Sequence, residues 1–151
     1  MEKWDRILSK ENVLVDLQAK RNIAAIRELA GVLEDDEAIL DHKSFLADVI
    51  RREQQSSTGI GHGVAVPHAH EDTIWRQILA VGISRNGVDF GGVDGEPVRI
   101  VALLATPKKH HKKHMELLAA LSRLLQHEDV RQSLIQATEA AEVIDIFRAG
   151  K

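Results

Sequence analysis

Cysteine is absent from the 151 residues, which excludes disulfides, thiolate metal centres and thiol nucleophiles and fits a reducing compartment. Tyrosine is absent too, and two Trp and three Phe make up the whole aromatic complement. So few flat side chains argue against a base-stacking nucleic-acid surface. Neither sign of charge dominates: 20 Lys and Arg against 23 Asp and Glu leave a net −3, with no overall basic footprint for nucleic acid. No apolar run nears the ~20 residues of a membrane-spanning helix. The charged start Met1-Glu2-Lys3-Trp4-Asp5 lacks the apolar centre of a secretory signal. With three prolines and no low-complexity tract, nothing divides the chain. These absences predict one cytoplasmic domain spanning 1–151, with neither nucleic acid nor membrane insertion.

What is present supports a substantial core, since 44% of the residues are apolar. Val13 to Leu17 reads as a first strand or an extended edge. Ile23, Ile26, Leu29, Ala30 and Leu33 then follow helical spacing until the acidic break Glu34 to Glu37. Phe45, Leu46, Val49 and Ile50 give a second helical stripe that runs on into Arg51-Arg52-Glu53. Ile78 to Ser84 is a short strand closed by the tight-turn pair Asn86-Gly87. Val98 to Ala105 is nearly all apolar, as befits a central strand covered on both faces, and Pro107 ends it. Met115, Leu118, Leu121, Leu124 and Leu125 form a third helical stripe. Two shorter helices follow around Val130, Leu134 and Ile135, and around Val143, Ile144 and Phe147. Strands in the middle with helices on either side predict an α/β sandwich with a mixed sheet.

The chemistry concentrates in Ser57-Thr58-Gly59-Ile60-Gly61-His62-Gly63-Val64-Ala65-Val66-Pro67-His68-Ala69-His70. Alternate glycines read as a turn or bulge. Val64 and Val66 read as a buried strand, and Pro67 belongs at its end because it has no N–H for the ladder. His68 is thereby delivered at a strand terminus, either as a functional group or as a histidine merely hydrogen-bonded to backbone.

The run Gly59 to Ala69 resembles the signature of the fructose, mannitol and nitrogen-type enzyme IIA domains of the bacterial phosphoenolpyruvate-dependent phosphotransferase system. The likeness extends from about Val13 to Phe147, through an arginine-bearing helix end before the glycines and a helix start at His114-Met115. It implies a three-layer fold with the mixed sheet flanked by helices. It also implies that His68 takes a phosphoryl group on Nε2 from a histidine-phosphorylated carrier protein. Nδ1–H should then face a backbone carbonyl. His114 would hold phosphoryl oxygens, and Arg52 would balance their charge. Ala69 departs from the glycine common after the histidine, a small change. The donor arrives activated, so the resemblance implies no cofactor, ATP or metal. A strand rather than a helix follows the glycines, unlike a P-loop.

Several residues keep two readings. His114 is either a group that holds phosphoryl oxygens at a helix start or a histidine packed on the core. Arg52 competes with Arg51, and a solvated arginine pair at a helix end is commonplace. His62, His68 and His70 form a His-x5-His-x-His pattern of a kind that binds Zn²⁺ or Ni²⁺, yet no carboxylate sits among them and a designed centre is not expected. Lys108 to Lys113 is either a solvated loop or a patch for an anionic partner. The resemblance covers a regulatory branch, in which phosphorylation state selects target proteins, and a transport branch, which relays phosphate to a IIB domain. A short chain without a fused IIB-like or membrane segment favours the regulatory branch. An interaction module without phosphotransfer is the reading from another class; His68, His114 and Arg52 together weigh against it.

Overall fold

Residues 2–92 and 94–150 are described in a computed structural model. The expected domain limits, Met1 and Lys151, lie outside the described residues. Six strands form one mixed sheet: β1 (Val13–Leu14), β2 (Gly59–Gly61), β3 (Val64–Ala65), β4 (His68–Glu71), β5 (Ile78–Val88) and β6 (Val98–Pro107). The order is β1-β5-β6-β3-β2, and β4 also pairs with β6. The helices are α1 (Glu2–Asp5), α2 (Asn22–Ala30), α3 (His42–Gln55), α4 (His111–Leu125), α5 (Glu128–Gln136) and α6 (Ala140–Ala149). Among the described residues no helix is long and apolar enough to cross a membrane.

Strand alternation explains the three layers. On β6, Ile100, Ala102 and Leu104 point to a core shared with Leu117, Leu121 and Leu124 of α4 and with Val143 and Phe147 of α6. Val101, Leu103 and Ala105 point the other way, into a core with Ile26 and Leu29 of α2 and Phe45 and Val49 of α3. Every residue of β6 except Arg99 is buried, as its apolar run predicts. Trp4 of α1 packs edge-on against Phe147 at 5.2 Å. The expected three-layer α/β sandwich is present, and the first strand shrinks to Val13–Leu14, parallel to β5.

Three local expectations change. The strand expected over Val64 to Pro67 is two short strands, both parallel to β6, with Val64 opposite Ile100 and His68 opposite Leu104. Pro67 sits between them and uses only its carbonyl, which accepts from the Leu104 N–H at 3.0 Å. His68 therefore opens a second strand rather than ending the first. The expected stripe on α4 is shifted as well: Met115 is 52% exposed and Leu117 is buried in its place. Finally, α4 begins at His111, so Lys112 and Lys113 belong to its first turn and His114 follows one turn in.

Asn86-Gly87 does not close a hairpin, because β5 continues to Val88. The pairing with β6 shifts register between Ile83 and Val88, and Gly87 at φ +90° supplies the bulge. A Cβ at Gly87 would lie 2.7 Å from Cβ of Pro97. Gly87→Ala should accordingly cost about 1–3 kcal/mol, read as a lower urea midpoint. Asn86→Ala at the exposed neighbouring position should stay within about 0.5 kcal/mol of the parent protein.

Candidate functional site

The glycine-led segment builds a hairpin before it reaches the site. Gly61, His62 and Gly63 all have positive φ, at 90°, 58° and 76°, which turns β2 back into β3. His62 occupies the turn, exposed, with its N–H bonded to Asp94 Oδ2 at 3.1 Å. The structure thus separates it from His68 and His70. Among the described residues, no group of three or more His, Cys, Asp or Glu is arranged to hold a metal ion.

His68 is half-buried at the break between β3 and β4. Its Nδ1 lies 2.9 Å from the Val66 carbonyl oxygen, an acceptor with no proton of its own, so the contact requires Nδ1–H. That fixes the tautomer and leaves the lone pair on Nε2. Burial lowers the His68 pKa, and the nearby Arg52 and His70 lower it further. The Val66 hydrogen bond and Glu53 oppose them. The ring is held neutral near pH 7, the state in which it can attack.

The other two expected residues reach the same place. Arg52, His68 and His114 all border a cavity of about 310 Å³. Arg52 comes from the last turn of α3, which packs against β4. Its Nη1 donates to the Ser56 carbonyl at 2.8 Å, tying the guanidinium to the end of its own helix. Arg51 also borders the cavity but is ion-paired with Asp48, which separates the two arginines that the sequence left in competition. A second groove, about 220 Å³, also borders Arg52 and His68, together with Ile60 and Leu118.

His114 is 4% exposed, and its ring centroid is 5.3 Å from that of His68. Burial, together with the neighbouring His68, His70 and His111, lowers its pKa from 6.5 to about 4. It is a neutral imidazole at physiological pH, not a cation. Its Nδ1 is 2.8 Å from Thr106 Oγ1, which also receives a hydrogen bond from Gln77 Nε2 at 3.0 Å.

Sequence reasoning did not reach Thr106, Gln77 or Glu53, and it weighed His70 only as a possible metal ligand. His70 stacks on His114 at 4.6 Å with only 15° between the rings, and on His111 at 5.7 Å. The signal was available, because residues i and i+2 of a strand share a face. Thr106 is a fully buried hydroxyl that follows the unbroken apolar run Ile100 to Ala105 of β6, an informative oddity. Gln77 has no such mark; it meets Thr106 only through the register that sets Ile78 opposite Ala105. Glu53 is buried and its carboxylate accepts from both the N–H and the hydroxyl of Thr58, fastening the end of α3 to the start of the glycine hairpin. The basic run splits: Lys108 and Lys109 are exposed in the turn after β6, and Lys112 and Lys113 are exposed on α4.

Comparison with known proteins shows the family. The fructose-specific EIIABC component of Bacillus subtilis is 33% identical over 96% of this chain, which spans only 23% of that longer protein. The fructose-specific EIIA component of Haloferax volcanii is 34% identical over 78% of this chain and 73% of its own length. The crystal structure of the nitrogen regulatory protein IIA-Ntr from Neisseria meningitidis superposes with a TM-score of 0.87 at 29% identity, covering 93% of this chain and 96% of that one. The family model for the phosphoenolpyruvate-dependent sugar phosphotransferase system, EIIA 2, matches residues 6–150, and the chain belongs to that family.

Proposed function

We propose that this IIA domain is a phosphocarrier that accepts a phosphoryl group on Nε2 of His68 from a histidine-phosphorylated carrier protein. The observation that carries the reading is the Val66 carbonyl on Nδ1, which commits the opposite nitrogen to nucleophilic attack. The Nε2 lone pair forms the new P–N bond as the P–N bond to the donor histidine breaks, and that bond's electron pair returns to the donor ring. The proton on Nδ1 stays where it is. Phosphorylation gives the His68 ring imidazolium character, so its bond to the Val66 carbonyl becomes charge-assisted and strengthens. Arg52 and His114 flank the cavity into which the phosphoryl oxygens would project. Transfer of this kind depends on alignment and charge stabilisation rather than on further covalent steps.

Downstream, the proposed role is regulatory: the phosphorylated and free forms select different target proteins. The likeness to IIA-Ntr over nearly the whole of both chains supports it. The higher identity to two fructose-specific relatives favours a second reading, relay to a IIB domain of a sugar permease. The length of the chain does not choose between them, because one such relative carries its matching region within a much longer protein. Binding measured with the phosphorylated and unphosphorylated protein separates the two. A regulatory target distinguishes the forms, and a IIB domain drains the label.

Incubation with phosphoenolpyruvate, enzyme I and the histidine-containing carrier should add one acid-labile phosphoryl group, absent from a folded His68→Ala variant. Label persisting in that variant would refute the assignment. His114→Ala should still be labelled but about 10²–10³ slower, the usual cost of losing one transition-state donor. An unchanged rate would reduce His114 to a packing residue.

The pH dependence follows from the sign of the Arg52 contribution. The guanidinium repels the imidazolium form of His68 and lowers its pKa. Arg52→Ala should therefore raise the His68 pKa, moving the acid limb of phosphoryl acceptance to higher pH. An NMR titration of the His68 ring checks this, and a pKa unchanged or lowered in the variant would contradict it.

A further inference from the structure

We infer that Thr106 and Gln77 act as positioning residues that hold His114 in its Nε2–H tautomer, so that this neutral ring presents a hydrogen-bond donor to the cavity it shares with His68. The argument follows the protons one atom at a time. Gln77 Nε2 lies 3.0 Å from Thr106 Oγ1 and 3.5 Å from the Lys113 carbonyl oxygen. A carbonyl can only accept, so it is the NH₂ end of the amide that faces this way, and Gln77 donates to Thr106. Thr106 is fully buried, and its own hydroxyl proton needs an acceptor. The amide nitrogen cannot serve. The remaining partner among the described residues is His114 Nδ1, at 2.8 Å.

The chain therefore runs Gln77 N–H to Thr106 oxygen, and Thr106 O–H to His114 Nδ1. An imidazole that accepts at Nδ1 and is neutral carries its proton on Nε2. The opposite tautomer would set two donors against the Thr106 oxygen and leave the buried hydroxyl proton without a partner. The burial that disfavours an imidazolium at His114 acts in the same direction. His70, stacked nearly parallel on the ring, limits its rotation out of this arrangement. His114 borders the cavity beside His68 with Nδ1 turned to Thr106, which leaves Nε2 as the ring nitrogen available to that cavity. A neutral N–H directed there can meet a phosphoryl oxygen without first acquiring a proton.

The register of the sheet makes the chain possible. Ile78 lies opposite Ala105 in β5 and β6, which brings Gln77 beside Thr106, and His70 is the partner of Thr106 in β4. The consequence for transfer rate rests on the reading of His68 as the phosphoryl acceptor; the tautomer itself does not.

Long-range ¹H–¹⁵N correlation of the His114 ring, in the unphosphorylated protein near pH 7, reads the tautomer directly. The expected result is protonated Nε2 and unprotonated Nδ1. Thr106→Val keeps the shape but removes the hydroxyl, and should release His114 to a mixture of tautomers. It should also slow phosphoryl acceptance by about tenfold, within the range by which residues behind an active group affect activity. Thr106→Ser should restore both. Should Thr106→Val fail to fold, Gln77→Ala at a half-exposed position serves instead, with a smaller shift in the same direction. Nδ1–H on His114 of the parent protein would overturn the inference. So would an unchanged tautomer in the variants, or a changed tautomer with an unchanged transfer rate. Failure of the acceptor reading looks different: the label would persist in His68→Ala while the His114 tautomer remained as stated.

Discussion

The pairing of β6 with its neighbours governs the rest of the molecule. This strand is buried on both faces, antiparallel to β5 and parallel to both halves of the interrupted segment β3–β4. Its register sets His68 opposite Leu104 and His70 opposite Thr106, and brings Gln77 beside Thr106. A slip of one residue in β4 would exchange faces, because side chains alternate strictly along a strand. It would turn Ala69 toward α4 and drive two histidines into the apolar layer beneath α3. The packing of Ile100, Ala102 and Leu104 on one side and Val101, Leu103 and Ala105 on the other opposes such a slip. The core and the candidate site are therefore specified by the same contacts.

Pro67 shows how a local rule and a functional demand coincide. A proline cannot donate to a ladder, so the strand must break there. The break costs little because the Pro67 carbonyl still bonds the Leu104 N–H. It also lets the Val66 carbonyl turn toward the ring of His68 instead of a neighbouring strand. Arg52 is treated similarly. Its guanidinium occupies the C-terminal end of α3 through the Ser56 carbonyl, where a cation also suits the helix dipole. The charge that would meet a phosphoryl group is thus already ordered, and little side-chain freedom remains to be lost when one arrives.

The fold was legible where periodicity was strong. The apolar run Val98 to Ala105, the stripe through Phe45 and Val49, and the helix carrying Val143 and Phe147 all stand in the structure. Short-range signals misled where long-range pairing overrode them. Asn86-Gly87 has the composition of a hairpin turn, but β6 begins only at Val98, so the pair becomes a bulge inside β5. Met115 fits a helical stripe by spacing alone, yet helix α4 starts earlier than expected and its buried face passes through His114 and Leu117. At the site, His68, His114 and Arg52 could be named from the motif and its resemblance. Thr106 and Gln77 could not, since their meeting depends on strand register, which a single sequence does not encode locally.

The neutrality of His114 also bears on how deeply a phosphoryl group can be trapped. An imidazole with a pKa of about 4 contributes a hydrogen bond to an anion but no net charge, which leaves the positive charge at the cavity to Arg51, already paired with Asp48, and to Arg52, which also borders the second groove. A pocket with two or three fixed cations would bind phosphate tightly and surrender it slowly. With Arg51 paired to Asp48 and an uncharged donor in place of a further cation, the proposed phosphoryl site would be a shallow well. Uptake and release would then both be accessible, which is the energetic condition for a relay rather than a sink.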